Sequence, residues 1–277
     1  MKRKIKKAFQ YIYVNISKPE MNVLPGHLAF YFLMMLIPLL TLLGSLLTTI
    51  NFVGASITEV MYNNLPENIA DMIIMISKQE SSNVSLWMLL IPTLLLASNG
   101  TYSMIITSNS IYKVKNASYF FNRVKAFIML ILLIILFLFL LLVPTFGNTI
   151  FRIIGTIITN SNITDNLSFL LFKVLKYPLT FFAVYLAVKI LYIMAPNIKI
   201  ERKQVKFGAM FTSIMWVIST WIYSYYIEYM SSYETFYGGI SGFLFLILWI
   251  YVLSYIFVLG MAMNASRYEI DKESISL

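Results

Sequence analysis

The fold class predicted by this sequence is an all-α polytopic membrane protein. It has six transmembrane helices, an N-terminal interfacial helix and an amphipathic helix between spans one and two. Three observations carry that reading. Apolar residues make up 59% of the chain and charged residues 12%, against about 45–50% and about 25% in soluble domains, and the mean hydropathy is +0.78. Residues 21–58, 81–112, 126–151, 207–227 and 235–266 contain no Asp, Glu, Lys or Arg, and each exceeds the roughly 20 residues that cross a hydrocarbon core. The basic residues also alternate between the two ends of these stretches. A soluble enzyme would leave too much apolar surface in water, and a disordered chain would lack this much grease.

The elements follow in order. The N-terminal arm, residues 1–22, places Ile5, Phe9, Ile12 and Ile16 on one helical face among lysines, a pattern suited to an anionic leaflet surface. No cleavable signal is expected, because Gln10, Asn15 and Ser17 interrupt any apolar run there. Span one covers about 27–50. The connection after it, from Asn51 to Ser85, carries Leu65-Pro66-Glu67 and then Ile69, Met72, Ile73 and Ile76 at helical spacing, which predicts an amphipathic helix on the outer face. Further spans fall at about 86–107, 124–146, 169–195, 207–230 and 240–264. The fourth contains Lys189, which can snorkel to an interface. Backbone groups in lipid must be satisfied within the segment, and the apolar residues do not alternate, so these are helices and not barrel strands. The economical division is an arm at 1–22, a membrane domain at 23–266 and a cytoplasmic tail at 267–277.

Orientation comes from charge. With a cytoplasmic N-terminus, 16 of the 21 Lys and Arg residues fall on the cytoplasmic side. They lie in the arm, in the second-to-third connection (Lys113, Lys115, Arg123, Lys125), in the fourth-to-fifth connection (Lys199, Arg202, Lys203, Lys206) and in the tail. This is the positive-inside distribution, and it places both termini in the cytoplasm. It also accounts for the net charge of +9 as topology, so no nucleic acid partner is expected.

Polar residues inside the spans are the candidate functional ones. Thr220, Ser224 and Glu228 are spaced i, i+4, i+8 and share a face. Ser98-Asn99-Gly100-Thr101-Tyr102-Ser103 interrupts span two with small and polar groups. Such a stretch either unwinds to line a cavity or packs closely against a neighbouring helix. Ser98, Asn99, Thr101, Thr220, Ser224 and Glu228 are therefore the candidate cavity-lining residues. Gly260 and Asn264 point to close packing of span six, and Pro38 and Pro92 are expected to kink spans one and two.

Catalysis is not expected. There is no cysteine and one histidine, so disulfides, thiolate sites and multi-histidine metal centres are excluded within one chain. No cofactor is expected, and no phosphate-binding G-x-x-x-x-G-K-[ST] occurs. Gly239-Ile240-Ser241-Gly242 matches the G-x-S-G of intramembrane serine proteases, but His27 lies at the opposite end of its span from Ser241. A bilayer of about 30 Å would separate a pair that must approach within about 3 Å.

Several stretches together resemble the YihY/BrkB family of bacterial inner-membrane proteins. They are Pro25-Gly26-His27-Leu28-Ala29-Phe30-Tyr31-Phe32 followed by Leu36-Ile37-Pro38-Leu39-Leu40; Asn109-Ser110-Ile111-Tyr112; Tyr192 through Pro196 with Phe207-Gly208-Ala209; and Tyr233 to Gly239, Leu248-Trp249-Ile250-Tyr251 and Gly260-Met261-Ala262-Met263-Asn264-Ala265. Lys115-Asn116-Ala117 departs from the pattern in lacking an arginine. The resemblance spans roughly 10–265. It implies six spans, a location in the bacterial plasma membrane and a role in transport of lipidic, amphiphilic or small solutes. The alternative is a non-catalytic scaffold or partner of an envelope machine. The resemblance also brings an old ribonuclease label, which the scattered acids and single histidine argue against. Expected partners are membrane lipids and an envelope protein or a second copy of the chain.

Overall fold

In the computed structural model, residues 17, 19–49, 86–159, 165–229 and 240–275 are described. Their regular elements are all helices: α1 (Glu20–Thr49), α2 (Leu86–Ile111), α3 (Tyr119–Thr159), α4 (Asp165–Met194), α5 (Lys206–Tyr229) and α6 (Ile240–Ile275). The apolar face expected of an interfacial helix in the 1–22 arm runs from Ile5 to Ile16, and the expected amphipathic helix falls within 51–85. Both lie outside the described residues.

Local chemistry sets the helix ends. Pro19 precedes α1, its carbonyl accepts from the Asn22 N–H at 3.1 Å, and Glu20 sits in the first turn, where a carboxylate complements the helix dipole. α2 ends in a Schellman motif: the Val114 N–H reaches the Asn109 carbonyl at 2.8 Å and the Lys113 N–H reaches that of Ser110 at 3.1 Å. Lys113 takes the left-handed position of this motif, with φ at 54°, where glycine is usual. α3 begins at a serine cap, the Phe121 N–H donating to Ser118 Oγ at 3.4 Å. α4 stops where Pro196 disfavours helical backbone at Ala195.

Among the described residues four helices are long and apolar enough to cross a membrane: Tyr119–Leu140 in α3, Tyr177–Met194 in α4, Lys206–Tyr226 in α5 and Gly242–Glu269 in α6. The helices also outrun the sequence-based spans. α3 has 41 residues and α6 has 36, so the 267–277 tail is helical as far as Ile275. After Gly260 no Gly or Pro stops α6, which is why it continues past the apolar run. α1 and α2 continue as helix through Pro38 and Pro92.

The chain divides into two compact units. One comprises 1–36, 98–129 and 185–277, and the other 37–97 and 130–184. The core of the first includes Leu28, Met104, Ile105, Leu191, Tyr192, Phe257, Met261 and Met263, all nearly inaccessible. Its methionines fill irregular gaps between helices. Eleven polar residues are buried among the described ones, Asn264 and Ser254 included, and all belong to this first unit. In the second unit Ala97, Leu130 and Ile134 are buried, while Ile91, Leu96, Ile131, Ile135 and Phe182 are exposed. Exposed apolar side chains at this density suit a lipid solvent.

Candidate functional site

α5 and α6 are brought together by small residues. A Cβ on Gly208 would strike the Gly260 carbonyl and the Asn264 side chain, and one on Gly260 would strike Thr212 Oγ1. With no side chain at either position the backbones approach closely. The Gly208 N–H then donates to Asn264 Oδ1 at 2.9 Å. Tyr192, arriving from α4, donates its hydroxyl proton to the Phe257 carbonyl at 2.7 Å. Its oxygen is therefore left to accept from Thr212 Oγ1 at 2.6 Å. Trp216 closes the same contact, its indole N–H donating to the Leu253 carbonyl at 2.9 Å and its ring stacking 5.9 Å from that of Phe257.

A second polar node joins α2, α3 and the connection after α4. Lys125 Nζ donates to the Ala195 and Pro196 carbonyls, each at 2.9 Å, and to Asn197 Oδ1 at 2.7 Å. Those three bonds use every donor an ammonium has, and they place a cation at the carbonyl end of α4, where the helix dipole favours it. Asn197 continues the network. Its side-chain amide donates to Asn122 Oδ1 at 2.9 Å, and its backbone N–H donates to Asn109 Oδ1 at 2.8 Å. Asn109 in turn donates to Asn116 Oδ1 at 2.7 Å.

The third node is the polar stretch of α2. It stays helical throughout and packs closely: a Cβ on Gly100 would come within 2.5 Å of Met35 Sδ. Thr101 Oγ1 donates to the Ala126 carbonyl of α3 at 2.8 Å. Asn99 Oδ1 accepts from the Arg123 guanidinium at 2.8 Å, which also lies over the Tyr102 and Phe127 rings at 5.8 and 5.7 Å. Ser103 Oγ and His27 Nδ1 share a hydrogen bond of 3.1 Å, and the His27 ring meets that of Tyr31 edge-on at 5.0 Å. The sole histidine thus has a serine partner, and that serine is Ser103. The side chain of Ser241 lies outside the described residues.

Of the six candidate cavity-lining residues, the structure sets Asn99 and Thr101 against α3, and the Ser98 carbonyl accepts from Thr101 Oγ1 at 3.0 Å within α2. Ser98 and Thr101 are fully buried. Thr220 and Ser224 lie on the exposed side of α5, next to Trp221, Ile222 and Tyr225, away from that interface. Glu228 is in the last turn of α5, and its side chain lies outside the described residues. Sequence reasoning named Lys125 for its charge alone and Asn109 and Tyr192 only within stretches that carry the family resemblance, and it did not name Asn122, Asn197 or Thr212. The available signal was polar spacing at helix ends: Asn122 and Lys125 at i, i+3 opening an apolar run, and Asn197 directly after Ala195-Pro196.

Along the inward face of α2, Thr107 and Ser108 are fully buried as well. Their hydroxyls have no hydrogen-bond partner among the described residues. Most buried polar groups in native structures are partnered, so these two adjacent hydroxyls are exceptions, as are Ser254 Oγ and Asn264 Nδ2 of α6. Among the described residues no group of three or more His, Asp or Glu could hold a metal.

Comparison with known proteins adds kinship to this geometry. Residues 12–275 match the family described as Virulence factor BrkB. The chain is 26% identical to YfkH of Bacillus subtilis, named a ribonuclease-like protein, over 89% of this chain and 90% of that one. It is 27% identical to the UPF0761 membrane protein VP0125 of Vibrio parahaemolyticus, over 94% of this chain and 82% of that one. It is 25% identical to the UPF0761 membrane protein VV0203 of Vibrio vulnificus, with the same two coverages. No solved structure matches the chain significantly.

Proposed function

The chain belongs to the virulence factor BrkB family of membrane proteins, and from that premise we propose that it is a non-enzymatic translocation component of the bacterial cell membrane, moving lipidic, amphiphilic or small solutes. It crosses the bilayer six times and keeps both termini in the cytoplasm. One observation supports the reading above the others. α2 turns Ser98, Thr101, Ser103, Thr107 and Ser108 into the interior, and two of those hydroxyls have no partner among the described residues. Polar groups inside a membrane helix are costly and tend to mark a pathway. The Thr101 hydroxyl serves helix contact, whereas those of Thr107 and Ser108 are left over for a solute. The ribonuclease-like name belongs to the Bacillus relative. Acids scattered along this chain and a histidine bonded to a serine supply no comparable chemistry.

The test is transbilayer flux in proteoliposomes. A chain-labelled fluorescent lipid, or an entrapped amphiphilic dye, is followed with the wild type, with Thr107→Val plus Ser108→Ala, and with Glu228→Gln. Protein-dependent flux should be present in the wild type and fall about tenfold in the α2 variant. Flux equal to that of protein-free liposomes sinks the reading.

A further inference from the structure

A cavity of about 200 Å³ lies at the start of α1, the end of α2 and the last turns of α6, apart from the three nodes described above. Its walls carry two carboxylates, Glu20 and Glu269, and one ammonium, Lys113, around an apolar floor of Met21, Ile111 and Ala262. Its depth is set by α6, whose apolar run closes at Glu269, and by the exposed ring side chains Tyr119, Phe120 and Phe121 that open α3. Aromatic residues of this kind gather at the headgroup level. One turn beneath Ile111, on the same side of α2, stand the orphan hydroxyls of Thr107 and Ser108. The cavity therefore sits over the one stretch of buried α2 that still has hydrogen bonds to offer.

We propose that this cavity binds a zwitterionic ammonium–phosphate group of the phosphoethanolamine kind, with the ammonium held by Glu20 and Glu269 and the phosphate by Lys113. The charge pattern selects the ligand. A lone cation meets Lys113, a lone anion meets two carboxylates, and a group carrying both signs satisfies all three. Lys113 and Glu269 are exposed and Glu20 is half-buried, so the charges stand at the mouth of the cavity, within reach of a group that enters head first. The volume corresponds to about seven water-sized groups, which admits a head group and excludes acyl chains. Lys113 occupies a left-handed backbone position that glycine would take without strain, and a ligand-binding ammonium explains why a lysine stands there.

This inference deepens the translocation reading by naming what enters, and it rests on that reading only for the purpose of binding. Binding is measured without flux, so flux lost with binding intact would sink translocation alone. The full chain is placed in phosphatidylcholine nanodiscs and titrated with phosphoethanolamine or with inorganic phosphate. In parallel, chain-labelled phosphatidylethanolamine is doped into the nanodiscs and its enrichment around the protein is read. Phosphoethanolamine binding that weakens about tenfold in both Glu269→Gln and Lys113→Gly supports the site and assigns a free solute. Lipid enrichment lost in the same variants, without binding of the free compound, supports the site and assigns a membrane lipid. Absence of both, equal behaviour of the variants, or inorganic phosphate binding as well as phosphoethanolamine overturns it. Lys113→Gly should keep or raise the thermal midpoint, which separates lost binding from lost folding.

Discussion

At the scale of single residues, Lys125 stabilises the fold in a way its position in the sequence conceals. From the sequence it is one more positive charge on the cytoplasmic side, and topology accounts for it. Its three acceptors lie 70 to 72 residues away, and no local pattern announces a partner that distant. Lys125→Met keeps the length of the side chain and leaves two carbonyls and an amide oxygen without their donor. Hydrogen bonds to charged groups contribute about 1.5–3 kcal/mol each, so unfolding in a denaturant titration should show a loss of about 2–3 kcal/mol. A double-mutant cycle with Asn197→Ala should give a coupling of at least about 0.5 kcal/mol. Lys113 behaves oppositely. Lys113→Gly relieves a left-handed backbone worth about 1 kcal/mol, and the same titration should register a gain.

At the scale of elements, the helices were readable and their ends were not. Charge-free length locates a bilayer crossing, because lipid imposes it. Nothing in lipid specifies where a helix stops in water, so α6 runs on to Ile275. The polar stretch of α2 left two outcomes open, and packing against Met35 and Ala126 favours helix contact there. The α5–α6 contact was half legible: Gly260 and Asn264 stood out for close packing, while Gly208 was visible only as part of a family stretch and its partners needed the three-dimensional structure. Its consequence is asymmetric tolerance of substitution. Gly208→Ala forces a methyl into a backbone carbonyl that cannot retreat, and Gly260→Ala drives one into the Tyr192–Thr212 hydroxyl pair. Each should cost about 1–3 kcal/mol and reduce the monodisperse fraction on size exclusion in detergent. Gly26→Ala and Gly242→Ala meet nothing within 4 Å and should elute as wild type does.

For the whole molecule, topology is the property to test. The chain has no cysteine, so single-cysteine variants report on an unaltered background. With six crossings and both termini inside, a cysteine replacing Lys203 should resist a membrane-impermeant maleimide in intact cells and react after permeabilisation. One replacing Asn162 should react in intact cells. The reverse pattern would invert the orientation that the basic residues dictate. What the sequence concealed at this scale is where the polar interior gathers. Composition counts Ser, Thr and Asn without saying which face each takes, and it cannot distinguish Thr101, bonded to α3, from Thr220, exposed on α5.

The ammonium bolted to the loop after α4 also dictates a timetable for biogenesis. Lys125 leaves the ribosome 70 residues ahead of Ala195, which at about 5–20 residues per second is a wait of roughly 4 to 14 s. Throughout that interval nascent α3 carries a naked charge near its start, held by water or lipid phosphate. Only the arrival of the end of α4 can retire it. A transcript broken before residue 195 would therefore yield an inserted fragment whose exposed lysine invites quality-control proteolysis.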